Sequence, residues 1–208
     1  MFNEVSVGIQ NNSDGRVVTA RGGKQGEQMV SGLHGRYYEQ TYRDNVFSGS
    51  VVGQVTSAGL STTYTGLVLA NPVGSTVNLS IISAGYSFIV AFAAGAHVGL
   101  LAGYNGTTNV THTAAVTVRS QKFVTSAAGN ARGLLDSSAT LPTAPIVNLI
   151  FGSGLTGAIT TVPHLGPSLV NVDGQIVLPP GAYCGFYTST ASGTAGGAFS
   201  FVWEENPI

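Results

Sequence analysis

The four histidines are the side chains in this sequence best suited to metal binding or proton transfer. They stand at His34, His97, His112 and His164. No two of them have the short spacing of a metal site, and no cluster of Cys, Asp or Glu accompanies them. A metal pair formed by His97 and His112 across neighbouring strands is conceivable, but nothing else in the sequence supports it. The pattern predicts structural or solvent-facing histidines, with no metal and no other cofactor.

A second candidate for chemistry is the GxGxxG string from Gly152 to Gly157. In a dinucleotide-binding site this motif follows a strand and opens a helix whose N-terminus holds the pyrophosphate. The string does follow a strand-like run, but the next residues are AITTVPHLGP, which are rich in β-branched residues and broken by Pro163 and Pro167. We therefore interpret it as a loop that binds no nucleotide.

Groups for acid/base or nucleophilic catalysis are also sparse. Glu204 and Glu205 are adjacent, and adjacent side chains in a strand point to opposite faces. Asp136 and Asp173 have no obvious partner for a catalytic pair. The sequence contains neither GxSxG nor GxxxxGK[ST], and its single cysteine, Cys184, is typical of a small buried residue. We therefore expect a protein that is not an enzyme.

One segment has the composition of a binding surface. The run from Gly32 to Phe47, GLHGRYYEQTYRDNVF, is dense in Tyr and Arg. Both residue types are enriched at interface hot spots, because each joins a large apolar or planar surface to a polar tip. Two interpretations stay open, a surface that binds a partner and a strand or linker whose tyrosines cover the rest of the fold. The candidate partner-binding residues are Arg36, Tyr37, Tyr38, Tyr42 and Arg43.

The elements that position these residues must be built from an unusual composition. Only 8% of the residues are charged, and there are 29 glycines. Helix formers such as Glu, Lys and Gln are scarce, while Val, Thr, Tyr and Phe recur, so strands and turns are favoured. The net charge of −1 provides no attraction for nucleic acid or an anionic membrane. The first residues also lack the pattern of a secretion signal, and no apolar run is long enough to cross a membrane.

Charge is distributed unevenly along the chain. Ten of the seventeen charged residues lie in positions 1 to 44, and none lies between Asn45 and Val118. The early segment is also rich in glycine, which argues against a stable helix, and it is too poor in apolar residues for a core of its own. We therefore predict an extended N-terminal arm over residues 1 to 44 and a β-sandwich body over residues 45 to 208.

Within the body, strand-like segments alternate with turn residues at short spacing, which is typical of an antiparallel sandwich or barrel. Turns are predicted at Asn71 to Gly74 and at Pro179 to Gly181, and a loop at Ala127 to Pro145. The alternation in Val110 to Val118 favours a strand with two distinct faces. The predicted strands are Thr63 to Ala70, Thr76 to Ile82, Tyr86 to Ala93, Val98 to Tyr104, Val110 to Val118, Ile146 to Phe151, Gln175 to Leu178, Ala182 to Thr188 and Ala198 to Glu204.

Two of these strands carry predictions about burial. In the last one, Phe199, Phe201 and Trp203 share a face, which predicts that this face packs in the core. The run from Ile146 to Phe151 is continuously apolar apart from one Asn, which is typical of a strand buried on both faces.

Three segments resemble a group of tailed-phage structural proteins found in capsid decoration and head-fibre contexts. They are the GRYYE-containing segment above, VLANPVGSTVNLSII (68 to 82), and IVLPPGAYCGFYTSTAS (176 to 192) with the closing GAFSFVWEENP (197 to 207). The resemblance implies an all-β, antiparallel, jelly-roll-like sandwich that forms homotrimers and clamps neighbouring major capsid protein subunits. It implies no catalytic or cofactor residues.

Composition and resemblance together lead to one expectation, a virion protein of a bacteriophage. We expect a capsid cement or decoration protein on the capsid surface, made in the host cytoplasm, which binds the major capsid protein and itself and binds neither nucleic acid nor membrane. A charge-poor β surface favours this interpretation, because such a surface is tolerable when it is buried against identical copies. The alternative is a receptor- or carbohydrate-binding module of a tail or fibre, for which Tyr104-Asn105 and Asn171-Val172-Asp173 are the candidate loop residues.

Overall fold

The computed structural model describes residues 35–90, 92, 94–123, 130–154, 169–192 and 195–208. A compact unit runs from Gln40 to Ile208. The described elements are one short helix and eleven strands: α1 (Tyr38–Tyr42), β1 (Val46–Gln54), β2 (Thr63–Ala70), β3 (Val77–Phe88), β4 (Ala96–Tyr104), β5 (Thr111–Ala115), β6 (Arg119–Ser120), β7 (Leu134–Thr140), β8 (Ile146–Gly154), β9 (Leu169–Leu178), β10 (Ala182–Thr188) and β11 (Gly197–Pro207). The described residues contain no helical segment with the length and hydrophobicity that a bilayer span requires.

The strands form two antiparallel sheets that pack face to face, so the predicted all-β sandwich is confirmed. The first sheet has the order β6, β1, β11, β3, β9, and the second has the order β5, β7, β2, β10, β4, β8. The pairing is nested along the chain, since β1 pairs with β11, β2 with β10, β3 with β9 and β4 with β8. Successive nested pairs lie in alternate sheets.

The core between the sheets is built from the inward faces of alternating strands. In β11, Phe199, Phe201 and Trp203 are buried, as the alternation in the sequence predicts. Phe186 of β10, in the opposite sheet, packs against two of these rings, with centroid distances of 4.7 Å to Phe199 and 4.8 Å to Phe201. Burying each ring contributes on the order of 2–3 kcal/mol, so this contact is a main source of cohesion between the sheets.

Both predicted turns are present. At the first, the Ser75 amide donates to the Pro72 carbonyl over 2.9 Å. At the second, the Ala182 amide donates to the Pro179 carbonyl over 2.9 Å. Gly181 in this turn has φ of 86°, a conformation that strongly favours glycine, and a Cβ there would collide with the backbone of Asn105.

Several sequence predictions are wrong in detail. The predicted loop from Ala127 to Pro145 contains β7, and β1 was not predicted at all. The predicted separate strand at Tyr86 is the end of β3, which stops at Phe88. The strand predicted over Val110 to Val118 is shorter: β5 spans Thr111–Ala115, where its ladder with β7 shifts register twice and ends at Ala115.

The N-terminal arm is a prediction that the structure leaves open, because positions 1 to 34 lie outside the described residues, His34 among them. In the part that is described, α1 begins after Gly35, the last of the glycines that argue against a helix. The sequence that forms it, YEQTY, contains no glycine, so one helical turn forms where the sequence analysis expected none.

Candidate interaction surface

The five predicted partner-binding residues all lie in or next to α1. Tyr38 begins the helix and Tyr42 ends it, and both are exposed, Tyr42 to 61%. Arg36 and Arg43 are also exposed, while Tyr37 is half-buried. The segment therefore presents aromatic and guanidinium groups to solvent, as an interface would require.

Two local contacts also bear on the alternative interpretation, in which the tyrosines cover the rest of the fold. The Arg36 guanidinium carbon lies 5.3 Å from the centre of the Tyr37 ring. Within the compact unit, the Lys122 ammonium lies 4.8 Å from the centre of the Tyr42 ring. Both are cation–π contacts near the protein surface, and each contributes about 0.5–1 kcal/mol. Tyr42 stays exposed and Tyr37 half-buried, so the assignment of this segment to a partner stays a prediction.

An Asp–His pair is the closest approach to a catalytic arrangement. Asp136 on β7 is 1% exposed, and its Oδ2 contacts Nδ1 of His112 on β5. The other carboxylate oxygen of Asp136 is buried and has no hydrogen-bond partner within the described part of the chain. The pair was not predicted, since Asp136 fell in a predicted loop and the two residues are 24 positions apart.

The geometry of the pair formed by His112 and Asp136 fits a structural role better than a catalytic role. A buried carboxylate that orients His Nδ1 is one part of a nucleophilic triad, which also needs a hydroxyl or thiol hydrogen-bonded to the ring. Among the residues that the structure describes, no such group is bonded to His112. His97 lies on β4, with β10, β2 and β7 between it and β5, so the conceivable His97–His112 metal pair is not assembled. His164 lies outside the described residues.

The adjacent acids near the C-terminus do point to opposite faces, as expected. The Glu205 side chain is buried, and its Oε1 accepts hydrogen bonds from the Trp203 Nε1 (3.1 Å) and the Gly133 amide (2.9 Å). The Arg132 amide donates to the same carboxylate. Glu204 is half-buried on the other face, where burial raises the pKa of its carboxyl. The Glu205 carboxylate therefore holds the backbone at Arg132 and Gly133 against β11. It does not form an acid/base pair with Glu204.

The GxGxxG string begins as a strand and not as the predicted loop. Gly152, Ser153 and Gly154 end β8 and pair with Val98, His97 and Ala96 of β4. Positions 155 to 157 lie outside the described residues. The described half of the motif is therefore held in a ladder, where its amides do not form a phosphate cradle.

The residues considered for carbohydrate binding lie in different sheets. Tyr104 is exposed at the end of β4, and the Asn105 Oδ1 accepts from the amides of Thr107 (3.0 Å) and Thr108 (2.9 Å), which closes the following turn. Asn171 and Asp173 lie on β9 of the other sheet. The structure thus leaves Tyr104 as an isolated exposed ring.

Large exposed hydrophobic residues occur on β8, which the sequence analysis predicted to be fully buried. That prediction of burial is wrong. β8 is an edge strand, and four of its side chains are between 38% and 65% exposed. A continuous apolar run does not by itself distinguish a central strand from an apolar edge strand. The run therefore led to the wrong prediction of burial. We call these four residues the β8 edge: Ile146, Val147, Leu149 and Ile150.

Comparisons with known proteins do not assign the chain to a family. No family model, curated protein or solved structure matches it.

Proposed function

We propose that the chain is a virion structural protein of a tailed phage, a capsid cement or decoration protein without catalytic activity. It associates with itself, as a homotrimer by the resemblance described above, and stabilises the shell of the major capsid protein. It binds no cofactor, nucleic acid or membrane. It is made in the host cytoplasm and acts on the capsid surface.

The observation that carries the proposal is the character of the sandwich surface. From Asn45 onward the chain has only seven charged residues, while the β8 edge exposes four large aliphatic side chains. A freely diffusing monomer gains solubility from charge, and contiguous exposed apolar residues mark surfaces that bind other proteins. Permanent assembly removes this apolar surface from water, so it explains both features together.

The buried carboxylates support a structural role over an enzymatic one. Asp136 is engaged by His112, and Glu205 by the Trp203 indole and two backbone amides. Each is committed to holding two segments together. Catalysis would require titratable groups that converge on a cleft open to a substrate.

The strand order also supports the proposal. Nested pairing with successive pairs in alternate sheets supports the jelly-roll-like winding that the resemblance implies. Jelly rolls occur among viral capsid proteins and lectins, so the order favours these classes without choosing between them.

The exposed tyrosines and arginines near α1 provide the contact with the capsid in this proposal. Tyr42 and Arg43 would lie against the major capsid protein, where an aromatic ring and a guanidinium bind strongly once desolvated. Three such segments on one trimer act multivalently, so that occupancy of the capsid lattice exceeds what one segment would give.

Co-sedimentation of the full-length protein with shells of the major capsid protein tests the proposal. We expect the parent to sediment with shells and Tyr42→Ala to bind about tenfold more weakly, the loss typical of an interface hot spot. Lys122→Ala is the matched control, because it removes the cation–π contact but keeps the ring. A parent that stays in the supernatant would contradict the proposed function, and equal binding of parent and Tyr42→Ala would contradict the role of this segment.

The second candidate is a receptor- or carbohydrate-binding module of a tail or fibre. Its support is Tyr104, an exposed ring at the end of β4 beside a hydrogen-bonded turn, where a sugar could stack. A glycan array separates the two candidates. Binding to a glycan that Tyr104→Ala abolishes would favour this module over the capsid role.

A further inference from the structure

The exposed charges of the compact unit are segregated by sign. Its Lys and Arg side chains are all exposed, and they are Arg43, Arg119, Lys122 and Arg132. Four of its five acids are buried or half-buried, and they are Asp44, Asp136, Glu204 and Glu205. The fifth, Asp173, is exposed on β9, at the edge of the first sheet opposite β6. Arg119 lies on β6 and Lys122 follows it, so the exposed charge at the β6 edge is positive.

Two of the arginines line one cavity at the surface. Its volume is about 160 Å³, and Arg43 and Arg132 line it together with Asn45 and Asn130. An apolar cavity of about 150 Å³ holds one benzene molecule, whereas pockets for drug-sized ligands measure about 300–1,000 Å³. The cavity therefore has room for one side chain of a partner and is too small for a cofactor or a nucleotide.

Two acids also line this cavity, and both are hydrogen-bonded within the protein. The Asp44 carboxylate accepts from the Ser120 hydroxyl. The Glu205 carboxylate accepts from the Trp203 indole and two backbone amides, and its side chain is buried. Among the described residues, none forms an ion pair with the Arg132 side chain, which is exposed. The cavity therefore offers a guanidinium group to a carboxylate from outside, while its own carboxylates already have donors.

Glu205 holds both sides of the cavity in place. Its amide donates to the Asn45 carbonyl over 2.8 Å, and its carboxylate accepts from the Arg132 amide over 2.9 Å. The Asn45 amide donates in turn to the Gln40 carbonyl over 3.0 Å, and Arg43 lies between these two residues. A binding site whose backbone is fixed before the partner arrives loses less conformational entropy on binding. Both arginines are thus presented on backbone that is already ordered.

Exposed aromatic rings lie beside this positive charge. Tyr42 precedes Arg43 and is 61% exposed, and Phe123 follows Lys122 and is 76% exposed. The Lys122 ammonium lies 4.8 Å from the centre of the Tyr42 ring, which places the two segments next to each other. Aromatic rings and arginines are the residue types enriched where protein interfaces bind most strongly. We call the cavity and the rings of Tyr42 and Phe123 the basic surface.

We propose that the basic surface binds an acidic segment of a protein. One carboxylate of that segment occupies the cavity between Arg43 and Arg132, and apolar side chains of the segment pack on Tyr42 and Phe123. A guanidinium group binds a carboxylate through two parallel N–H···O hydrogen bonds, and the opposite charge draws the partner to the surface. The inference deepens the proposed function, and it rests on that function only in naming the major capsid protein as the source of the segment.

Nucleic acid fits this surface less well than an acidic protein segment. Proteins that bind a single strand use a positively charged groove that follows the phosphates, with nucleobases stacked on aromatic rings. The compact unit carries five acids against four Lys and Arg residues, and two of the latter, Arg43 and Arg132, converge on one small cavity. Convergence on one point suits a carboxylate side chain better than a chain of phosphates.

Binding of labelled probes to the purified full-length protein tests the inference without capsid shells. The probes are fluorescein-labelled octaglutamate, octaglutamine and single-stranded octathymidylate, and fluorescence anisotropy measures their dissociation constants. We expect octaglutamate to bind more tightly than the other two probes and to lose affinity as the salt concentration rises. Arg132→Gln should weaken octaglutamate binding about tenfold, because it removes the guanidinium group but keeps the amide that donates to Glu205. Arg43→Gln should weaken it in the same sense.

Ser153→Asp is the matched control, because it changes the net charge in the same direction and by the same amount as Arg132→Gln. Ser153 is exposed on β8, at the edge of the second sheet opposite β5 and β7, so this variant should bind octaglutamate as the parent does. A parent that does not bind octaglutamate, equal binding of octaglutamate and octaglutamine, or an equal loss in Arg132→Gln and Ser153→Asp would overturn the inference. Octathymidylate that binds as tightly as octaglutamate would also overturn it, in favour of a nucleic-acid site.

Co-sedimentation of the same variants with shells of the major capsid protein separates this inference from the proposed function. We expect Arg132→Gln to bind shells about tenfold more weakly than the parent, and Ser153→Asp to bind them as the parent does. A parent that sediments with shells but does not bind octaglutamate would support the proposed function and overturn the acidic segment. A parent that binds octaglutamate but not shells would support the basic surface and contradict the capsid as its partner. An Arg132→Gln protein that binds shells as the parent does would overturn the assignment of this cavity to the capsid contact.

Discussion

Replacing Trp203 by alanine should destabilise the fold by about 4 kcal/mol. The side chain is 0% exposed, and its ring lies 6.2 Å from that of Phe47 on the neighbouring strand. Removing a buried aromatic ring of this size costs about 3–5 kcal/mol in lost burial and cavity formation. The indole N–H also donates to Glu205, and the loss of that donor is part of this cost. The exact loss of stability within this range depends on how far the surrounding side chains relax into the cavity.

Urea and thermal unfolding, followed by far-ultraviolet circular dichroism at one protein concentration, measure the effect. Circular dichroism is needed because the substitution removes the only tryptophan. We expect the unfolding temperature to fall by about 8–16 °C. Trp203→Phe is the control, since it keeps a ring and removes the hydrogen bond, and it should cost about 1–2 kcal/mol. A Trp203→Ala protein that unfolds within about 1 kcal/mol of the parent would refute the placement of this residue at the centre of the core.

Two further predictions concern buried titratable groups. Burial raises the pKa of the Cys184 thiol from its ordinary 9.0 to about 12, so the folded state holds this proton more tightly than the unfolded chain does. The contribution of the protonated thiol to the free energy of unfolding is therefore complete below pH 9 and decreases by about 1 kcal/mol per pH unit up to about pH 12. Urea titrations at several pH values should show this decrease for the parent relative to Cys184→Ala. Parallel pH profiles of the two proteins would contradict it. His112→Ala should cost about 2–3 kcal/mol, because it leaves the buried Asp136 carboxylate unpaired, whereas replacing both residues with leucine should recover most of the loss. Equal stability of parent and His112→Ala in chemical denaturation would show that the pair contributes nothing.

Local sequence patterns predicted the central strands well. The ranges predicted for Thr63–Ala70 and Ala182–Thr188 coincide with β2 and β10. Both are runs of β-branched and aromatic residues that end at or begin after a proline-containing turn, so strand propensity and turn chemistry agree there. The aromatic alternation in β11 was equally informative, because a period of two places side chains on one face whatever the neighbouring strands are.

Burial and pairing at the edges could not be predicted from local sequence. β7 has the sequence LLDSSAT, and the nearby Gly133, Pro142 and Pro145 predict a loop over this range. It becomes a strand because β2 and β5 pair with it on both sides. For β8 the prediction of a fully buried strand was wrong, because its apolar run forms an edge strand. In both cases the determining contacts join residues that are distant in the chain.

The candidate sites also differ in how far local sequence could predict them. The exposed Tyr42 and Arg43 were identified from composition alone, because Tyr and Arg carry interface chemistry in any backbone conformation. The contact between His112 and Asp136 depends on the pairing of β5 with β7, and nothing in their spacing indicates it.

Electron cryo-microscopy of purified particles tests the central proposal most directly, with the protein labelled by an antibody fragment. Under the proposed function, the particles would be those of the phage that encodes this chain. The proposed function predicts label at regular positions over the outer surface of the capsid, in contact with the major capsid protein. Label confined to the tail or a fibre, or particles that lack the protein, would contradict it.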